Sequence, residues 1–181
     1  LTGHPGQWGK YVSIAIVGGG QAIGKLDVVS SEAKDVIPDM DYIILCLPGY
    51  MISSTLRKIV PFLKEGATVG SVVCSNGFFW MAKSLLPDAN PYFGLQRVPY
   101  IARVKEYGPR AELKGFKDEI KISISKNGNR ETIRKAIEGF FGTPTKLLKS
   151  FWSAALTNSN PLLHTARLYV LFKNYTSSMV Y

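Results

Sequence analysis

The sequence predicts an α/β protein: a partial doubly wound, Rossmann-like parallel sheet followed by the start of an all-helical domain. Three observations predict it. Unbroken apolar runs of strand length, such as residues 42–47 (YIILCL), alternate with stretches at helical spacing, as in a parallel sheet covered on both faces. Two of these strands end in small residues, Pro48-Gly49 and Asn76-Gly77, where open α/β sheets bind their ligands. After Ser150 strand signals vanish. The expected boundary therefore lies near residue 147, between an α/β domain at 1–147 and the start of a helical one at 148–181.

Taken in order, residues 11–17 and 26–29 are β-rich and flank Gly18, Gly19, Gly20 and Gly24. A dinucleotide fingerprint G-x-G-x-x-G would need glycine at position 23, where Ile23 stands, and would open a helix rather than another strand. The cluster is read as a hairpin loop. Ser31 can cap a short helix through Ile37. Strand 42–47 comes next, then a helix carrying Ile52, Leu56, Ile59, Val60 and Leu63 and broken at Pro61. Strand 69–74 and a helix at 78–86 repeat the unit. Residues 92–101, 111–113 and the strictly alternating 120–125 would extend the same sheet. Asn129 caps a helix with Ile133, Ala136, Ile137, Phe140 and Phe141 on one stripe, which Gly142 and Pro144 end. Residues 151–156 and 162–172 read as helices. Asn160 before Pro161 is a natural N-cap, which would put His164 in the first turn or just beyond, near the helix's positive end.

One consequence concerns strand 42–47. A doubly wound sheet needs a strand beside it that the sequence does not supply, so its edge should be covered. The candidates are the 11–29 hairpin, another copy of the chain in a homo-oligomer, or residues outside this sequence.

The formal charge is +9, but the basic residues between Arg97 and Lys135 are interleaved with Glu106, Glu112, Asp118, Glu119 and Glu131. Aromatic-basic motifs of an RNA-binding sheet are absent, and anionic small molecules account equally well for the excess. Composition alone does not choose between these, and a solvated basic face with no ligand is a third reading. Small-molecule substrates, with no nucleic acid or membrane, are expected only with the family resemblance carried by the motifs. No apolar run approaches the ~20 residues of a membrane span, and without a secretion signal a cytoplasmic protein is the expectation. Cys46 and Cys74 sit in apolar runs and should be buried as small hydrophobes. Ligands for a Cys/His metal site are lacking.

Four stretches carry a likeness to a known family: DYIILCLPG at 41–49, SNGF at 75–78, GLQRVPYIAR at 94–103 and NPLLHTARLY at 160–169. Through them the chain resembles the octopine/nopaline (opine) dehydrogenases, which couple a nicotinamide domain to an all-helical one. The last two stretches are the distinctive ones, since strand-Pro-Gly endings also occur in ketopantoate reductases and glycerol-3-phosphate dehydrogenases. The resemblance implies NAD or NADP as cofactor and the reductive condensation of an amino acid with a 2-keto acid. It also implies that the sequence lacks the N-terminal fingerprint segment and most of the helical domain, and that the chain alone binds cofactor weakly and is inactive.

The strand-end rule assigns the cofactor to Leu47, Pro48, Gly49, Asn76 and Gly77. Arg97 or Arg103, in the distinctive 94–103 stretch, would hold substrate carboxylates bidentately, with Gln96, Tyr100 and Asn160 beside them. His164 flanked by Leu162, Leu163 and Leu168 reads on spacing alone as a hydrogen-bonded core residue. The resemblance instead implies the catalytic acid/base. Two other readings stand beside this one: a different nicotinamide oxidoreductase, and a non-catalytic module binding through its basic surface.

Overall fold

The computed structural model describes every residue except 76, 158, 177 and 179–181, and the side chains of 159–161 also lie outside the described set. The N-terminal strands β1 (Tyr11–Ile16) and β2 (Gln21–Lys25) form the expected glycine hairpin, with Gly18, Gly19 and Gly20 all at positive φ. The second strand is 21–25 rather than 26–29. The tight glycine turn sets a register from Ala15↔Gln21 to Tyr11↔Lys25, which uses up the partner of β1 before residue 26. The expected helix after Ser31 shrinks to a single 3₁₀ turn, Ala33–Asp35. Ser30 organises it, accepting from the Glu32 N–H at 2.9 Å and donating to Asp35 at 2.6 Å.

The main sheet contains β3 (Tyr42–Leu45), β4 (Thr68–Val72) and β5 (Tyr92–Leu95), all parallel. Two further strands of this sheet lie beyond β5 and come after a second pair in the chain, β6 (Tyr100–Glu106) and β7 (Arg110–Phe116). They are β8 (Ile120–Ile124), antiparallel to β5, and β9 (Thr145–Leu147), parallel to β8. The order is β3-β4-β5-β8-β9.

Helices α1 (Gly49–Ile59), α2 (Phe78–Leu85) and α4 (Phe151–Ala155) share one core with the strands, built from Ile52, Leu56, Phe78, Ala154, Ile43 and Val69 among others. A second core joins Ile133 and Ile137 of α3 (Arg130–Phe141) to Phe93, Leu95 and the isoleucines of β8. Helices therefore cover both faces, as the sequence predicts. Asn129 caps α3 by accepting from the Thr132 N–H at 3.1 Å, and Gly142 ends it in the left-handed conformation. Pro61 ends α1 in a 3₁₀ turn at Val60–Phe62. The shared core continues past residue 147 through α4, so it is α5 (Ser159–Phe172) that stands outside it.

Residues 100–116 do not extend the main sheet. They form a separate four-stranded sheet, β2-β1-β7-β6, in which β1 runs parallel to β7. Side-chain chemistry explains the exclusion. One face of β6 and β7 carries Arg103, Lys105, Glu112 and Lys114, with both lysines ion-paired to Glu112, and such a face cannot enter a sheet buried on both sides. Because the hairpin is committed to β7, it does not cover β3. Among the described residues β3 pairs with β4 alone, and an apolar groove of about 310 Å³ touching Met40, Ile44 and Leu47 runs along it. Cys74 is fully buried as expected, whereas Cys46, one residue past the end of β3, is exposed.

Two contacts set the tolerance of this architecture. Gly70 in β4 lies directly under the fully buried Phe93 ring, and a Cβ there would come within 2.0 Å of it. Across the sheet, Glu138 of α3 accepts from the Thr145 N–H and from Arg134, both at 2.8 Å, while Arg134 donates to the Thr145 carbonyl at 3.0 Å. Gly70→Ala should cost about 1–3 kcal/mol of stability by overpacking, read as a lower urea midpoint with unchanged slope. The Thr145 N–H, and after it Arg134, holds the Glu138 carboxyl below the usual carboxylate range. A depressed carboxylate stabilises above its ordinary pKa of about 4.3 and loses that contribution as pH falls through the lower value. Glu138→Gln should therefore be less stable than the parent at pH 7, with the gap narrowing in thermal melts taken progressively below about pH 4.

Candidate functional site

Parallel pairing puts the carboxyl ends of β3, β4 and β5 on one edge of the main sheet. There the chain leaves β3 through Leu47 and enters α1 at Pro48-Gly49, and it leaves β4 to enter α2 at Gly77. Neither Pro48 nor Gly77 has a side chain able to cap the helix, so the first-turn N–H groups are left uncapped by side chains. Gly77 has φ of +82°, which a side chain would strain. Asn76, between these elements, lies outside the described residues.

The third strand, β5, leads directly into Gln96 and Arg97. Because β8 runs antiparallel to β5, its entry segment Lys117–Lys121 reaches the same edge, and the end of α4 closes over it. These elements enclose a cavity of about 710 Å³, to which Gln96, Arg97, Lys121, Ser153 and Thr157 contribute. The lining is mixed in charge: Arg97, Lys117 and Lys121 face it along with Asp118 and Glu119, and Lys121 and Glu119 form an ion pair at 3.8 Å.

An aromatic stack holds α4 in place. Phe151 lies on Phe79 at 4.6 Å between ring centroids, and Trp80 meets Trp152 edge-on at 5.2 Å. Ser150 starts the helix by accepting from the Ser153 N–H. At its other end Gln96 donates its side-chain amide to the Ser153 carbonyl at 3.4 Å and to the Thr157 hydroxyl.

The expected substrate residues separate in space. Gln96 and Arg97 line the cavity. Tyr100 does not line it: its hydroxyl donates to the Phe141 carbonyl and its ring packs between Phe116 and Phe141, tying β6 to the end of α3. Arg103 lies on the charged face of the small sheet and donates to the Ala102 carbonyl at 2.9 Å. Helix α5 begins at Ser159, so Asn160 is its second residue instead of its N-cap, and the Asn160 side chain is outside the described set. Pro161 is tolerated as the third residue because the N–H it lacks would have no partner within the helix. His164 is consequently the sixth helical residue, beyond the first turn. It is exposed in this chain, as are Leu162 and Leu163. Thr157, anchored to Gln96, precedes His164 by seven residues, and chain geometry limits their Cα separation to about 15 Å.

Sequence reading missed Ser153, Thr157 and the entry segment of β8. Small hydroxyl residues on a helix carry no periodic signal, and only the fold brings them to Gln96.

No family model matches the chain. Among curated proteins it is 26% identical over 152 residues to an uncharacterized protein of Sinorhizobium fredii, covering 80% of this chain and 40% of that protein. It is 24% identical over 148 residues to the octopine dehydrogenase of Mizuhopecten yessoensis, covering 78% and 37%. Among solved structures, octopine dehydrogenase with NADH and L-arginine superposes with a TM-score of 0.82 at 18% identity, covering 94% of this chain and 45% of that one. The chain has the fold of the corresponding part of octopine dehydrogenase. Yersinopine dehydrogenase with NADP⁺ bound gives a TM-score of 0.65 at 14% identity, covering 92% and 44%. The chain spans less than half the length of each of these proteins. No helix among the described residues is long and apolar enough to cross a membrane, and these residues hold no cluster of three or more metal-ligating side chains.

The two cysteines report on this edge. Burial pushes the Cys74 thiol up to about 12 and leaves it no exposed surface; partial burial raises the Cys46 thiol as well, but that residue is exposed next to Leu47. At pH 8 a thiol reagent should label Cys46 in the folded chain, with Cys74 reacting only after denaturant is added, as read by peptide mass mapping.

Proposed function

We propose that this chain is part of an NAD(P)-dependent opine-type dehydrogenase, which condenses an amino acid with a 2-keto acid and reduces the resulting imine to a secondary-amine dicarboxylate. The observation that supports it most is the meeting, on one sheet edge, of two side-chain-free helix starts and a cavity bearing Gln96 and Arg97, in a chain with the octopine dehydrogenase fold.

The residues present suit a dinucleotide. Pro48-Gly49 and Gly77 let a pyrophosphate or a flat ring approach the backbone, and the first-turn N–H groups of α1 and α2 are oriented to meet negative charge. When bound, the nicotinamide supplies the hydride. This chain's own residues bind and orient the reactants. The Arg97 guanidinium suits a carboxylate of the keto acid or amino acid, and Gln96 sits beside it to orient the reacting groups. His164 belongs to a helix that sets out from the same corner. It would take a proton from the incoming ammonium and return one as the imine forms, general acid/base work typically worth ~10² to 10⁴ in rate. The carboxylates on both substrates also account for the basic balance of the chain.

Structural likeness extends to a 2-dehydropantoate 2-reductase from Porphyromonas gingivalis, at a TM-score of 0.64 and 11% identity, so reduction of a keto acid alone is the second reading. The full-length protein should oxidise NADH or NADPH only when a 2-keto acid and an amino acid are both present. Turnover with the keto acid alone would establish the second reading, and none under either condition would end both. In the active protein, His164→Ala should lower kcat at least about a hundredfold with NADH affinity nearly intact. Arg97→Ala should raise KM for a substrate well beyond any effect on cofactor binding, and an unchanged KM would remove the arginine from the site.

A further inference from the structure

Gln96 lines the cavity with a side chain whose two ends differ chemically, and the structure determines which end faces inward. The Ser153 carbonyl can only accept a hydrogen bond. The Thr157 hydroxyl gives its single proton to that same carbonyl, so toward Gln96 it too can only accept. Both groups therefore require the NH₂ end of the amide, and Gln96 supplies it, with its nitrogen donating to both. Once the two amide hydrogens are spent on α4, the end of Gln96 left for the cavity is its carbonyl oxygen.

We infer that Thr157 is a positioning residue: with the Ser153 carbonyl it locks the Gln96 amide so that the cavity presents a hydrogen-bond acceptor, which selects the amine partner of the reaction. This rests on the dehydrogenase reading given above. A glutamine free to turn over would serve a carboxylate through its NH₂ as readily as an amine through its oxygen. A locked one rejects the carboxylate at that point and leaves it to the cations of the lining, Arg97 and Lys121. The amino nitrogen is thereby set against the Gln96 oxygen. The lock also spans two structural units, because Gln96 belongs to the end of β5 while Ser153 and Thr157 belong to α4 and its exit toward α5.

The lock can be read without substrate. In ¹⁵N-labelled chain the two Gln96 side-chain amide protons should be distinct and show cross-relaxation to the Thr157 methyl group. Thr157→Ser should keep the slow solvent exchange of those protons and Thr157→Val should lose it. In the full-length protein Thr157→Val should raise KM for the amino acid about five- to tenfold, the worth of roughly one hydrogen bond. KM for the keto acid and kcat should change by less than about twofold, and Thr157→Ser should restore the parent values. The inference is overturned if the Gln96 amide exchanges as fast in the parent chain as in Thr157→Val, or if Thr157→Val raises both KM values alike. Absence of any NAD(P)H turnover by the unmodified protein would count against the dehydrogenase reading, while the amide measurement would still decide the positioning role.

Discussion

Everything in this fold hangs on a strand buried from both sides. β5 sends Phe93 and Leu95 into the core under α3, and Gly94 toward the opposite layer, where a Cβ would come within 2.3 Å of Cys74 and 2.7 Å of Phe79. Its neighbour β4 gives way in the same manner, with Gly70 lying under the Phe93 ring. Close-packed interiors have no slack to absorb another methyl group at such places. The two layers of helix are thereby drawn onto β5, and the position of its carboxyl end is fixed to within a small tolerance.

The residues just past β5 inherit that tolerance. Gln96 and Arg97 are the next two in the chain, so the groups offered to a ligand follow directly from a strand buried on both faces. The stack of Phe79, Phe151, Trp80 and Trp152 carries the same packing into α4, and from there to the Gln96 amide. Two parts of the cavity wall, the exit of β5 and the end of α4, thus come from distant stretches of chain and meet through one glutamine.

Much of this is legible in the residues. The helical spacing of Ile52, Leu56 and Ile59, the Asn129 cap and the Gly142 stop are local signals, and each reappears in the structure. The glycine run reads as a hairpin and is one, although the start of its second strand depends on how tightly three positive-φ glycines turn the chain. Of the site, Gln96 and Arg97 are legible through the resemblance carried by the 94–103 stretch, whereas the end of the strand at Leu95 is not. Tyr100 is not, because the carbonyl that engages its hydroxyl comes from Phe141, far along the chain. The small sheet is illegible for the same reason, since no local pattern says that Ser13 lies beside Arg110.

That last pairing bears on how the molecule assembles. Each hairpin of the small sheet, β1-β2 and β6-β7, closes over a few residues, but their union joins segments about a hundred residues apart and runs parallel. Loop-closure entropy must be met before such a contact yields anything, and parallel long-range pairing is intrinsically slow. The main sheet grows from short strand-helix-strand steps and can form first, bringing the two hairpins within reach. Chain entropy thus favours forming the region that carries Gln96 and Arg97 before the N-terminal hairpin pairs with β7.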